Sequence, residues 1–168
     1  MRTQGRNLYY LNILGLGFVA KVTKMAHKLK FLGNISYTFS AILQMIFLEN
    51  NSLRIELDGN IFEREAIFVE ISNTRYTSNF LIAPDAKIDD GLLDVILLRK
   101  CSRSRLLRNF PKIFTGEHTA LDEIETFQAR KISITAEKPQ LLAPDGELLG
   151  QTPVEVECLP GAVEMFWG

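Results

Sequence analysis

Two hydrophobic rhythms divide the chain. From Phe18 to Leu32 the apolar residues Phe18, Val22, Met25, Ala26, Leu29 and Leu32 recur at helical spacing with lysines between them, and Gly33-Asn34 closes the run. A second helix is predicted over Ser36 to Phe47; it is apolar on most faces and so expected to be buried. Ser102, followed by Arg105, Leu106, Leu107, Phe110, Ile113 and Phe114, predicts a capped third helix ending near Gly116. Elsewhere the period is two. Leu53, Ile55 and Leu57 alternate with Arg54, Glu56 and Asp58 before Gly59-Asn60 turns the chain into Ile61 to Ser72. Strands are also predicted over Asn7 to Leu14, ended by Gly15 and Gly17, and over Leu93 to Leu98. Four short ones follow, around Ile132 and Ile134, Leu141 and Leu142, Val154 and Val156, and Val163 to Phe166. The pattern is that of an α+β, mainly β domain: a two-layer β-sandwich of antiparallel or mixed sheets with about three helices, residues 1–168 forming one unit.

Composition narrows the setting. The 168 residues suffice for one domain with a real core, and a net charge of −1 gives no global field for nucleic acid. Basic clusters are local: Lys21, Lys24, Lys28 and Lys30, then Arg99, Lys100, Arg103, Arg105 and Arg108. They read as solvated helix faces, or as contacts for anionic headgroups on a protein that visits a membrane transiently. Cys101 and Cys158 are far apart and lack partners at metal-ligand spacing, which fits a reducing cytoplasm. No signal-peptide pattern opens the chain, and the longest apolar stretch, Ile35 to Leu48, is too short to span a bilayer.

Candidate chemistry lies on Asp-Gly turns. Asp58-Gly59 reads as a plain hairpin. Asp145-Gly146-Glu147 and the loop Pro84-Asp85-Ala86-Lys87-Ile88-Asp89-Asp90-Gly91-Leu92 put carboxylates on tight bends, which suits proton transfer and cation binding as well as chain reversal. His27 and His118 read as surface histidines with no nucleophile pattern around them. Gly15-Leu16-Gly17 lacks the third glycine of a dinucleotide loop, and no Walker pattern is present.

Taken in order, these segments resemble the C-terminal domain of the diacylglycerol/sphingosine lipid kinase family. The resemblance is carried by Asn12-Ile13 through Gly17-Phe18-Val19-Ala20 with Gly33 and Tyr37, by Asn73-Thr74-Arg75-Tyr76, by Pro84-Asp85-Ala86 with Asp90-Gly91-Leu92-Leu93-Asp94-Val95, and by Asp145-Gly146-Glu147 with Gly150, Pro153 and Leu159-Pro160. It implies a β-sandwich that holds the lipid, partnered in the full enzyme by an N-terminal nucleotide-binding domain that this sequence lacks. It further implies a carboxylate of Asp145 or Glu147 as general base toward a lipid hydroxyl, with ATP as co-substrate. A structural Mg²⁺ is implied on the Asp90 side chain and the carbonyls of Lys87 and Leu92. An isolated chain of this kind is expected to be inactive, peripheral at the membrane and compatible with a homodimer. Phe18, Val22, Phe31, Leu32, Phe39, Leu43 and Phe47 are expected to line a lipid slot or simply the core.

Three positions depart from the family pattern. Val19 stands where many members have Asp. Lys21 stands where sphingosine kinases place an amine-binding Asp, which disfavours a sphingoid base. Thr77-Ser78-Asn79 replaces a glycine cluster found in bacterial members. A non-catalytic lipid- or partner-binding module remains the alternative reading.

Overall fold

The computed structural model describes residues 1–29, 33 and 35–164. Strands β1 (Arg2–Thr3), β2 (Arg6–Asn7) and β3 (Ile13–Gly17) lead into helices α1 (Phe18–Lys28) and α2 (Ser36–Gln44), the latter extended by a 3-10 turn, Met45–Phe47. Strands β4 (Asn51–Leu57), β5 (Asn60–Ser72), β6 (Tyr76–Thr77), β7 (Phe80–Leu81) and β8 (Leu93–Arg99) follow. Next come α3 (Arg103–Asn109), 3-10 helices at Phe110–Phe114 and Glu117–Ala120, and strands β9 (Ile124–Ala129), β10 (Lys131–Ala136), β11 (Leu142–Pro144) and β12 (Val154–Glu157). The fold is mainly β with three α-helices, as the periodicity predicts.

One ten-stranded antiparallel sheet, ordered β11-β3-β5-β4-β10-β12-β1-β2 with β8 and β9 branching from β5, builds both layers. The first half of β5 pairs with β4; its second half pairs with β3 on one side and β8 on the other. The sheet therefore curls over an inner core that includes Leu14, Leu16, Ile55, Val69, Ile71, Leu97 and Ile134. A bulge between Ala66 and Phe68 breaks the alternation, so Ile67 and Phe68 both face outward, where they join Val22, Ala41, Phe80, Ile82, Ile96 and Leu98 under the helices.

Several expectations need correction. In place of the strand expected over 7–14, β3 lies at 13–17, and Gly15 and Gly17 are inside it instead of ending it. Gly15 is needed because a Cβ there would come within 2.8 Å of the Val19 Cβ, so its lack of a side chain lets α1 seat on the sheet. Gly17, at φ 70°, caps α1. The second helix is not buried all round: Ile35, Phe39, Ile42, Ile46 and Phe47 are exposed. α3 is short and passes into 3-10 turns, while its expected cap holds, the Arg105 N–H donating to Ser102 Oγ at 3.3 Å. Strands β1, β2, β6, β7 and β9 were not anticipated. Residues 30–32, 34 and 165–168 of the predicted helix end and final strand lie outside the described residues.

Asp58-Gly59 turns the β4–β5 hairpin, with φ 47° and 89°. It also does more than reverse the chain. The Asp58 carboxylate accepts the N–H groups of Lys131 (2.8 Å) and Arg130 (3.1 Å), tying the hairpin to the β9–β10 corner. These two backbone donors hold the Asp58 carboxyl below its ordinary value.

Two outcomes follow for stability. Gly15→Ala should push α1 off its seat and lower stability by about 1–3 kcal/mol, measured by chemical denaturation. Asp58→Ala should lower the thermal midpoint at neutral pH. Because the folded-state pKa is depressed, that stabilisation is present above the ordinary carboxylate pKa and fades as pH falls from there through the folded value, so wild type and variant should converge only in acid below that folded value.

Candidate functional site

Three of the four resembling stretches meet at one end of β3. After β11, Asp145 (φ 45°) and Gly146 (φ 80°) make a two-residue turn closed by the Glu147 N–H donating to the Pro144 carbonyl at 2.8 Å. The Asp145 carboxylate accepts the backbone N–H groups of Leu11 (2.8 Å), Asn12 (2.9 Å) and Ile13 (3.0 Å). From the other side, the Asn73 side chain donates to the Leu11 carbonyl at 2.9 Å, its N–H to the Asn12 carbonyl at 2.8 Å, and the Thr74 hydroxyl to the Asn12 side chain. Segment 11–13 is thus gripped by both motifs. Asp145 uses its carboxylate as Asp58 does, to collect backbone donors. Glu147 is exposed, and its carboxylate has no hydrogen-bond or ion-pair partner among the described residues.

Asp145 and Gly146 of that turn, but not Glu147, line an apolar slot of about 190 Å³ between α1, α2, β5, the β6–β7 hairpin and the Phe110–Phe114 turn. Phe18 and Val22 line it as expected; Phe39, Leu43 and Phe47 do not, and Phe31 and Leu32 lie outside the described residues. Tyr37 comes from α2, and its hydroxyl lies 3.2 Å from where a Cβ on Gly146 would stand, so only glycine leaves that approach open. A wider hollow of about 610 Å³ on the other layer is ringed by Glu56, Asp58, Lys131, Glu155 and Glu157 and offers a lipid no continuous apolar wall.

Glu70 is the slot residue that sequence reasoning missed. It is 1% exposed, and Thr77 donates its hydroxyl to Oε1. Burial pushes its carboxyl up to about 7, the hydroxyls of Thr77 and Ser72 offsetting part of the rise. The available signal was a lone charge inside the apolar run Ala66-Ile67-Phe68-Val69-Glu70-Ile71. The β6–β7 hairpin is also where Thr77-Ser78-Asn79 departs from the family glycines: Ser78 takes φ 54° itself, and Thr77 and Ser78 turn side chains toward the slot.

The loop holding Asp90 lies outside the slot lining. Asp90 Oδ1 accepts the Leu92 N–H at 2.9 Å, and Gly91 packs against Pro160, which joins the last resembling stretch to this loop. Lys87 is exposed and Leu92 half-buried. Asp94 is 7% exposed; its Oδ1 accepts from Gln128 at 3.1 Å while Oδ2 is buried without a partner. Burial first, then the charges of Asp90 and Asp85, push the Asp94 carboxyl up. An all-oxygen, negatively charged loop with an orphaned carboxylate oxygen beside it fits a hard cation such as Mg²⁺, although no cluster of three ligating side chains occurs among the described residues. Tyr10 and Cys158 link the two carboxylate sites. Burial and then the Asp145 charge raise the Tyr10 hydroxyl, and burial and then the Asp90 charge raise the Cys158 thiol.

Two other expectations change. His118 is buried, not on the surface; its Nε2 bonds the Ile82 carbonyl at 3.0 Å, and burial lowers its pKa. Lys21 pairs with Glu49 and is absent from the slot lining, so the argument against a sphingoid amine no longer rests on that residue.

Comparison with known proteins agrees with this geometry. Residues 12–167 match the family model for the YegS C-terminal NAD kinase beta sandwich-like domain. A diacylglycerol kinase from Mycobacterium tuberculosis is 29% identical over 165 residues, covering 96% of this chain and 53% of the relative. One from Bacillus subtilis is 28% identical over 150 residues, covering 88% and 50%. The crystal structure of a Bacillus anthracis str. Sterne protein described as a diacylglycerol kinase superposes with a TM-score of 0.69 at 25% identity, over 95% of this chain and 52% of that one. The chain spans about half the length of the relatives it matches. It belongs to the family of YegS-type C-terminal, NAD-kinase-like β-sandwich domains found in diacylglycerol kinases.

Proposed function

We propose that this chain is the lipid-binding, base-supplying half of an ATP-dependent kinase acting on the hydroxyl of a diacylglycerol-like lipid, inactive without a nucleotide-binding half. The observation that carries the proposal is an apolar slot lined by Asp145 and Gly146, with the exposed Glu147 next in the chain. A lipid tail in the slot leaves its hydroxyl at this turn. There the hydroxyl oxygen attacks the γ-phosphorus of ATP, the new O–P bond replaces the bond to the β-phosphate, and ADP leaves. Phosphoryl transfer asks mainly for positioning, plus a base in reach of the hydroxyl.

Glu147 is the base and Asp145 the positioning residue. Asp145 already receives three backbone N–H groups, and drawing on it would loosen segment 11–13, whereas Glu147 has its carboxylate free among the described residues. Asp90, with the carbonyls of Lys87 and Leu92, would hold a Mg²⁺ that steadies the loop beside the site; no chemical step runs through it. The exposed stripe Ile35, Phe39, Ile42, Ile46 on α2, with Lys24 and Lys28 exposed on α1, supports transient contact with an anionic bilayer next to the slot. Among the described residues, no helix is long and apolar enough to cross a membrane.

The test joins this chain to the nucleotide-binding half of the Bacillus subtilis relative. The hybrid should phosphorylate dioleoylglycerol in mixed micelles, and the 168-residue chain alone should not. Lipid binding without phosphorylation by a folded hybrid would favour the non-catalytic binding module instead. In an active hybrid, Glu147→Gln should lower turnover by about two to four orders of magnitude with an unchanged thermal midpoint. Asp145→Asn should lower midpoint and turnover together; loss of turnover at Asp145 alone, with Glu147→Gln fully active, would exchange the two roles.

A further inference from the structure

Glu70 lies deep in the slot, on the helix-facing side of β5. Its neighbours across the sheet are Gly15 on β3, which has no side chain to cover it, and Ile96 on β8. We infer that Glu70 is the hydrogen-bonding anchor of the slot and selects an uncharged lipid that presents an acyl-ester carbonyl to it. This rests on the lipid reading of the slot given above and names the feature of the lipid that is recognised.

No cation among the described residues lines the slot. Among the described residues, the other titratable groups lining it are Tyr37 from α2 and Asp145 from the turn after β11; α1, the β6–β7 hairpin and the Phe110–Phe114 turn present uncharged side chains. An ionised Glu70 would therefore be buried without a counter-charge, an arrangement that costs far more than burying the neutral acid. In the protonated carboxyl, Oε1 accepts from Thr77 and the acid O–H on the other oxygen needs an acceptor; the buried Ser72 hydroxyl, two residues on along the same face of β5, competes for that role but forms no hydrogen bond among the described residues. An ester carbonyl meets that need. A lipid ammonium would instead require a buried ion pair, whose desolvation offsets most of its attraction.

Composition and size agree. A diacylglycerol carries its hydroxyl, ester carbonyl and tail on one short stretch. The slot is lined together by Asp145 and Gly146 of the turn, by the buried Glu70 and by apolar walls such as Phe68, Ile82 and Ile113. About 190 Å³ is too small for a whole drug-sized ligand, so the slot takes one acyl segment and can hold only one such carbonyl against Glu70. Thr77, which bonds Glu70, falls in the segment where the family resemblance leads one to expect glycines.

The full chain is titrated with dioctanoylglycerol, its dioctyl ether analogue and sphinganine, with binding followed by methyl NMR of the isoleucines. Wild type should prefer the ester over the ether by about tenfold, the worth of one buried hydrogen bond. That preference should weaken as pH rises from about 6 to 8, when the acid proton is lost. Glu70→Leu should abolish the preference. Glu70→Gln, whose amide still donates, should keep it and lose its pH dependence. A thermal-melt control reports Glu70 without any ligand. A carboxyl whose pKa is raised by folding stabilises fully below its ordinary value and loses that effect as pH rises through about 7, so the wild-type midpoint should fall across this range and that of Glu70→Gln should not. Equal binding of ester and ether to wild type, or an ester preference that survives Glu70→Leu, would overturn the inference while leaving the lipid slot intact. Tighter binding of sphinganine that Glu70→Gln removes would replace the ester with an amine. Binding of none of the three lipids would overturn the lipid reading and this inference together.

Discussion

β5 runs through both layers, and the extra residue at its bulge sets which way every later side chain points. With strict alternation from Ala66, Val69 and Ile71 would face the helices and Glu70 would enter the apolar inner core. The bulge reverses that parity. It gives the inner core Val69 and Ile71, gives the helices Ile67 and Phe68, and delivers Glu70 to the slot. One insertion thus reconciles two cores on opposite faces of the same strand, and the position of the slot follows from it.

A second constraint sets the Asp145-Gly146 turn. Segment 11–13 pairs only partly with the sheet, so its backbone donors need partners from elsewhere. Asp145 supplies an acceptor for three of them, and Asn73 and Thr74 close the other side. The same solution recurs at Asp58, far from the slot and facing the β9–β10 corner. Two aspartates at the first position of an Asp-Gly turn thus do similar work, and proximity to an apolar cavity, rather than the motif, is what separates them.

The parts of the fold governed by local rules were legible in the sequence. The β4–β5 hairpin follows from alternation at Leu53, Ile55 and Leu57 with Asp58-Gly59 behind it, and α1 from its helical spacing. The bulge was not legible, because the run from Ala66 to Ile71 alternates with neither period. Gly15 and Gly17 looked like a stop signal, but a glycine demanded by a close helix approach looks the same as one demanded by a turn. The exposure of Phe39, Ile42 and Ile46 was hidden because an apolar stripe reads alike whether it meets a core or solvent. At the proposed site, the family motifs and the apolar slot single out the same turn, and the proposed division of roles between Asp145 and Glu147 rests on donors more than 130 residues away in the chain. Glu70 carried a usable signal, a single charge in an apolar strand, without any indication of which cavity would receive it.

Ser78 adopts φ 54°, a conformation that costs a residue with a side chain about 1 kcal/mol relative to glycine. A glycine there would relax the β6–β7 hairpin and favour the folded state. It would also free the backbone next to Thr77, whose hydroxyl fixes the orientation of Glu70. Robustness and selectivity are therefore opposed at this position: the substitution that makes the hairpin easier to fold leaves the floor of the slot less well defined, and a search for thermostable variants would drift toward a less discriminating pocket.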